Sequence, residues 1–257
     1  MSFKNKALKT TQYEHKQSSY EHTPTLPTRI LFGAQTNSGK TTLICNLILD
    51  LYRDCWSKVV IFSHSWNTDS SWDPVRKYMK DKDWNLAECG YASYSDQILK
   101  GILDEQSAII RWQKQHNHKE LFGLLVIFDD MIQDRDAVRG RQIERCFTKG
   151  RHENVSCWVS TQAYRKISNI VRMNADHEAI WKLRNGQDLD AWLTENSAVV
   201  DRARLLEIYN LATAPRFGYL WLKKTAHEID DLLHADGFGR PGVKIDATEN
   251  DNSPYER

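Results

Sequence analysis

The stretch RILFGAQTNSGKTTLICNLIL, residues 29–49, decides the fold. Arg29 to Phe32 is an apolar run that reads as a strand, and a polar loop follows it. After the loop, Leu43, Ile44, Leu47, Ile48 and Leu51 recur at helical spacing and predict a helix over 39–53. A strand, a Gly-containing loop and an amphipathic helix in that order are the context of a phosphate-binding loop. Successive backbone N–H groups and a helix start surround a polyphosphate with positive dipole. In such a loop Gly39 lets the backbone come close, Lys40 reaches the β and γ phosphates, and the Thr41 hydroxyl ligates Mg²⁺. The candidate nucleotide-binding residues are thus Gly33, Ala34, Gln35, Thr36, Asn37, Ser38, Gly39, Lys40, Thr41 and Thr42. Ala34 departs from the usual pattern, which has Gly six residues before the Lys. The competing reading is a plain strand–helix turn that binds nothing.

Such a loop needs an acidic partner at the end of a buried strand. Leu124 to Phe128 is continuously apolar, as an interior parallel strand is, and it runs into Asp129 and Asp130. Carboxylates at a strand's C-terminal end face the ligand edge of a doubly wound sheet. Asp129 is the candidate for holding Mg²⁺ through its hydration shell, and Asp130 for polarising the attacking water. A third strand, Ser156 to Ser160, ends in Thr161 and Gln162. An amide at the same edge is a candidate sensor of the γ-phosphate or of the water; a strand-terminating turn is the alternative.

Further strands are expected at Lys58–Ser63, Glu178–Leu183 and Gly218–Leu222, with the acidic strand drawn from Gly123. Helices are expected over 96–115, 136–149 and 200–210, while the Trp-rich stretch 64–95 resists assignment. Short apolar runs alternating with helical patterns indicate an α/β fold with a mostly parallel central sheet flanked by helices. The domain is expected to span 28–234, between a polar arm (1–27) and a polar, aperiodic tail (235–257).

Composition excludes other classes. The chain has 257 residues, 40% of them apolar, and 27 aromatics, too many for a disordered protein. The longest apolar run, Leu121 to Phe128, is far short of the roughly 20 residues a bilayer span needs. The opening MSFKNKALKTTQYEHK contains no apolar stretch of the kind a secretory signal carries. Five Cys with no CxxC and no metal spacing read as reduced thiols inside a cell. The net charge of +1 conceals an asymmetry: residues 28–224 hold 28 basic and 24 acidic side chains, whereas 225–257 hold three and eight. A mildly basic body with an acidic tail is compatible with a nucleic-acid partner without requiring one.

The order of motifs resembles a known superfamily. A phosphate loop is followed by a strand ending in two acids, then a basic helix entering Gly150-Arg151-His152. A strand ending in Thr161-Gln162 comes next, then Ile170-Val171-Arg172-Met173-Asn174. This is similar to the FtsK–HerA superfamily of DNA-pumping ATPases, and most like the poxvirus-type genome-packaging ATPases of large DNA viruses and virophages. The resemblance covers about residues 28–184. It implies an additional-strand P-loop core, ATP and Mg²⁺ as ligands, and a homo-oligomeric ring, pentamer or hexamer, through which double-stranded DNA passes. It also implies a capsid or vertex protein as partner, and the viral factory or cytoplasm of an infected cell, or the virion, as location. By the same resemblance Lys40, Asp130 and Gln162 are catalytic, and Arg151 is the arginine presented to a neighbour's nucleotide, with Arg172 a second candidate. Asp130 departs from the Glu that is commoner in the wider superfamily.

Several weaker signals stand beside these. Arg141, Arg145 and Lys149 form one helical stripe, either facing DNA or a subunit, or simply solvated. Trp66, Trp72 and Trp84 read as loop anchors before base-stacking groups, and His116-Asn117-His118 as a solvated loop before a metal site. Thr148-Lys149-Gly150-Arg151 fails the last position of a guanine-specificity element, which favours ATP. The rival functions are a DNA pump in conjugation or segregation, a P-loop kinase, and a non-catalytic nucleotide switch.

Overall fold

The computed structural model describes residues 13–21, 23–131, 140–198 and 200–225, and the backbone of 233–235. Eight strands form one sheet: β1 (Arg29–Gly33), β2 (Lys58–Ser63), β3 (Gly90–Tyr91), β4 (Leu124–Asp129), β5 (Val155–Thr161), β6 (His177–Trp181), β7 (Tyr219–Lys223) and β8 (Leu233–Ala235). Their order is β3-β2-β4-β5-β1-β6-β7-β8. All pairs from β3 to β6 are parallel, and β7 and β8 add antiparallel strands at one side. The expected mostly parallel sheet is therefore present, with β5 inserted between the phosphate-loop strand and the acidic strand.

The helices are α1 (Lys40–Asn46), α2 (Asp73–Asp81), α3 (Leu86–Cys89), α4 (Asp96–Gln115), α5 (Arg141–Lys149), α6 (Asn169–Asn174), α7 (Gly186–Asn196) and α8 (Arg202–Ala212). Alternating residues of each strand feed two cores, one per face. Leu31, Val126 and Phe128 pack with Leu99 and Leu103 of α4, Phe147 of α5, Trp192 of α7 and Ile208 of α8. Ile30, Phe32, Leu125 and Ile127 pack on the other face with Ile44 of α1, Val75 and Met79 of α2, and Trp158. Period-two alternation into two apolar layers is what a sheet covered on both faces requires.

Three expectations are refined. The first helix is α only to Asn46 and continues as a π turn, Leu47–Leu51, closed by Tyr52 N–H donating to Leu47 O at 2.9 Å. The helix drawn at 136–149 starts at Arg141, and residues 136–139 lie outside the described residues. The last helix runs to Ala212. Residues 13–21 and 23–27 of the arm lie along the body. There the Tyr52 hydroxyl donates to Pro24 O at 2.8 Å, Ser18 Oγ donates to Leu51 O at 2.5 Å, and Leu26 is buried. The rest of the arm, and the tail beyond 235, lie outside the described residues.

The unassigned stretch 64–95 folds because its tryptophans are core. Trp66 and Trp72 are buried, 5.9 Å apart between ring centroids, and Trp84 packs edge-on to Tyr78. The Trp66 ring lies so close over β3 that a Cβ added at Gly90 would stand 2.0 Å from it. Gly90→Ala should therefore destabilise the protein by about 1–3 kcal/mol, the usual cost of overpacking, read as a lower urea midpoint. An unchanged midpoint would mean that Trp66 is not seated there.

All five cysteines are buried and free. Burial raises the thiols of Cys55, Cys89 and Cys157, and pushes Cys45, beside α2's approach, up to about 12. A thiol needs access and thiolate character to react. The native protein at pH 8 should thus leave a thiol-reactive disulfide reagent unconsumed, and urea should release five reactive thiols.

Candidate nucleotide site

The parallel strands place three loops at one edge: 34–39 after β1, 129–130 at the end of β4, and 161–163 after β5. The phosphate loop owes its shape to left-handed backbone at Asn37 (φ 60°) and Gly39 (φ 88°). A Cβ at Gly33 would come within 2.8 Å of Ile180 Cδ1, so β1 and β6 require glycine or a rearranged Ile there. Ala34 is fully buried, and its N–H donates to Thr161 O at 2.9 Å. The methyl group that replaces the usual glycine hydrogen is accommodated in the core, away from the cleft. Ser38 Oγ donates to Gln35 O at 2.8 Å and Gln35 Nε2 to Lys182 O at 2.9 Å, bracing the loop. At its end α1 has no side-chain cap. Its first N–H groups are therefore available to an anion.

Lys40, Asp130 and Gln162 converge. Lys40 Nζ lies 2.5 Å from Asp130 Oδ1, Gln162 Nε2 donates to Asp130 Oδ2 at 2.9 Å, and Thr36 Oγ1 donates to Gln162 Oε1 at 2.9 Å. Lys40 is 4% exposed and Asp130 36%, so the pair sits at the boundary between core and cleft. Asp130 adopts left-handed backbone (φ 53°), which Asp tolerates better than most residues do, and its N–H is held by Ser160 Oγ at 3.2 Å.

Asp129 has a different environment. It is 3% exposed, accepts from Ser160 Oγ at 2.5 Å, and accepts more weakly from Ser63 Oγ at 3.4 Å. Desolvation raises its pKa, opposed by the Lys40 charge and the Ser160 hydroxyl. A buried carboxylate without a full counter-charge suits a divalent cation. Thr41 and Asp129 both line the same cleft, of about 330 Å³, so the residues present fit Mg²⁺. Ser63, His64, Ser65, Asp69 and Ser71 line its other side. Of these Ser63 has a readable signal, a polar residue ending an apolar strand; His64 and Ser65 lie in a turn, and Asp69 caps the short 3₁₀ turn Ser70–Trp72 that carries Ser71. Thr36 and Ser160 hold Gln162 and Asp129 in place, and only long-range folding reveals those roles.

The two arginines lie apart from this cluster. Arg151 is exposed on the 3₁₀ turn Gly150–Glu153, which precedes β5 and so stands at the sheet edge opposite the phosphate loop. There it lines a second cavity with Thr28, Asp176, His177 and Trp221. Arg172 is held inside the chain: Nε and Nη2 engage Glu195 at 3.1 and 2.9 Å, and Nη1 donates to Ile167 O at 3.0 Å. It clamps the turn that follows Gln162. Of the basic stripe, Arg145 is consumed by Asp104 at 2.6 Å and Glu153 at 3.3 Å, which ties α5 to α4. His116 and His118 stack on Trp112, and no metal-type cluster occurs among the described residues. No helix among the described residues is long and apolar enough to cross a membrane.

Comparison with known proteins identifies the family of this chain. Residues 15–220 match the family model described as Poxvirus A32 protein. The chain is 23% identical over 232 residues to the DNA packaging protein OPG160 of monkeypox virus, covering 88% of this chain and 69% of that protein. It is 22% identical to OPG160 of vaccinia virus (strain Copenhagen), with 88% and 77% covered. Among solved structures, the genome packaging NTPase B204 of Sulfolobus turreted icosahedral virus 2 superposes with a TM-score of 0.53 in its AMPPCP complex. That match has 13% identity and covers 76% of this chain and 92% of B204. The AMP complex of the same protein gives 0.52 at 15% identity, with the same coverage. The likeness to B204 is one of fold, whereas the family model spans the sheet from before β1 into β7 and takes in all three loops of the site. This chain belongs to the Poxvirus A32 protein family.

Proposed function

We propose that this protein is a Mg²⁺-dependent ATPase that drives double-stranded DNA into a viral capsid. The observation that carries the reading is the meeting of Lys40, Asp130 and Gln162 at one sheet edge, joined by bonds of 2.5 and 2.9 Å. The relatives named for DNA packaging support the biological setting.

In this reading the loop 34–42 binds the triphosphate through its backbone N–H groups. Lys40 exchanges Asp130 for the β and γ phosphates, because a polyphosphate offers it more negative charge than one carboxylate. Freed of Lys40, the Asp130 carboxylate accepts a proton from the attacking water. Gln162, held by Thr36, bridges that water and the γ-phosphate. Thr41 and Asp129 hold Mg²⁺, which supplies charge neutralisation at the phosphates when bound. Arg172 is a positioning residue that fixes the turn after the sensor.

A ring built head to tail places the nucleotide edge of one subunit against a different face of the next. Arg151, exposed at the edge opposite the phosphate loop, suits the face that meets a neighbour's nucleotide. The ring, the DNA in its centre and the capsid or vertex protein at its rim complete the proposal. The body is taken as 28–234, between the two polar arms, and the site of action as the viral factory or cytoplasm of an infected cell.

The test is the steady-state ATPase rate of the full chain with and without double-stranded DNA. Turnover that DNA increases supports the proposal. Phosphate transfer to a small acceptor in place of water would favour a kinase, and nucleotide binding without turnover in either condition would favour a switch.

A further inference from the structure

The triphosphate end of the site is fully furnished, but the residues described so far leave the base of the nucleotide without a partner. Sheet order fixes where to look. Asp130 follows β4 and marks the γ-phosphate end. The phosphate loop follows β1, and β6 and β7 lie beyond it on the far side from β4. A nucleotide whose γ-phosphate points toward β4 sends its base the other way, toward the loop that enters β7.

That loop carries Arg216 and Phe217. Phe217 is a large apolar side chain left 53% exposed, in left-handed backbone (φ 66°) that a bulky residue rarely adopts. Its ring stands beside the phosphate loop, where a Cβ added at Gly39 would be 3.6 Å from Phe217 Cδ1. The position is built. Phe217 O accepts from the Trp181 indole at 3.1 Å, Trp181 stacks on Tyr219 at 4.7 Å, and Gly218 N–H donates to Pro215 O at 3.0 Å. A Cβ at Gly218 would collide with Ala212 O at 2.5 Å, so the turn is closely packed behind the exposed ring. Finally, the Arg216 guanidinium lies over the ring, 4.8 Å from its centroid. The face of Phe217 thus already accepts a flat, delocalised group of the kind a nucleobase presents.

We propose that Phe217, with Arg216, is the ledge on which the purine base of the bound nucleotide stacks. The inference rests on the phosphate-loop reading above and adds to it the residue that recognises the base. Stacking on an aromatic face is tolerant of base identity, since every base has a π surface. The ledge therefore selects for a base as such, and does not discriminate adenine from guanine.

The experiment compares three probes, Mg-ATP, Mg-GTP and inorganic triphosphate with Mg²⁺, by calorimetric titration of the full chain. Phe217→Asn removes the ring while keeping a residue that tolerates left-handed backbone, and Phe217→Trp keeps a π face. Phe217→Asn should weaken ATP and GTP alike, by about 10-fold as for loss of one stacked base, and leave triphosphate unchanged. Phe217→Trp should bind all three as the parent does. Equal weakening of all three probes by Phe217→Asn would overturn the proposal, because the ring would then act by shaping Gly39. Unchanged affinity for all three would overturn it too. A parent chain that binds none of the probes would overturn the phosphate-loop reading itself, a result separable from the other two.

Discussion

Asp130→Asn is expected to lower ATP turnover at least ~100-fold while Mg-ATP binds as tightly as to the parent, or more tightly. The first half follows from chemistry: a positioned base contributes roughly 10²–10⁴ in rate, and an amide does not take the water's proton. The second half follows from the geometry. Asp130 Oδ1 holds Lys40 Nζ at 2.5 Å, so an incoming phosphate must compete for the lysine. Asparagine carries no charge and releases Lys40 from that competition. Gln162 and Thr36 remain bonded to one another, and Asp129 keeps its Ser160 and Ser63 partners. Single-turnover hydrolysis and a binding titration separate the two effects. A collapse of affinity in parallel with rate would show that Asp130 ligates the metal, and the roles of the two aspartates would have to be exchanged.

Lys40→Ala should abolish both turnover and the stabilisation that Mg-ATP confers. At a nucleotide concentration of 100 Kd the parent gains about 2.7 kcal/mol, or roughly 5–10 °C in melting temperature for a domain of this size. The variant should gain nothing. The nucleotide-free variant should also show a steeper pH dependence than the parent. Lys40 is the cation that opposes the desolvation of Asp129. Asp129 already titrates above the ordinary carboxylate range in the folded parent, and without Lys40 it titrates higher still. A carboxyl whose folded pKa is raised stabilises the protein while protonated, and that contribution is lost as pH rises from the ordinary carboxylate range through the folded value. Melting curves of variant and parent should therefore diverge as pH increases. ATP turnover by the variant at the parent's rate would refute the assignment of the loop.

Stability and catalysis place opposite demands on this edge of the sheet. Asp129 sits in the core at a desolvation cost, Asp130 is held against a buried lysine, and Lys40 is buried at 4% exposure. Each contributes less to folding than an apolar residue would. In the proposed function each becomes favourable once polyphosphate and a divalent cation complete the charge balance.

What the sequence by itself determined was whatever depends on neighbours along the chain. The phosphate loop was legible because its glycine, lysine and threonine sit within a few residues of a strand and a helix start. Five of the six expected strands match to within one residue at either end, because period-two burial and continuous apolar runs are local signals. The sixth, β6, ends two residues earlier than expected. Asp129, Asp130 and Gln162 were legible as strand-end polar groups for the same reason. The 64–95 stretch was not, because its helices are short and polar and are held through Trp66 and Trp72, which share a core with Ile44 of α1 and Val59 and Ile61 of β2.

Tertiary structure alone decided which of these groups meet. Lys40 and Asp130 are 90 residues apart, and Thr36 and Gln162 are 126 apart. Their contact depends on β5 pairing between β4 and β1, an order that no local pattern encodes. It also decided that Arg172 is a clamp, because Glu195 and the carbonyls around it come from other elements. The same holds for Arg151, which lies at the far edge because β5 runs parallel to β1. Phe217 shows the difference most plainly: in sequence it is one aromatic in a turn, and only the pairing of β6 with β7 sets its ring beside Gly39.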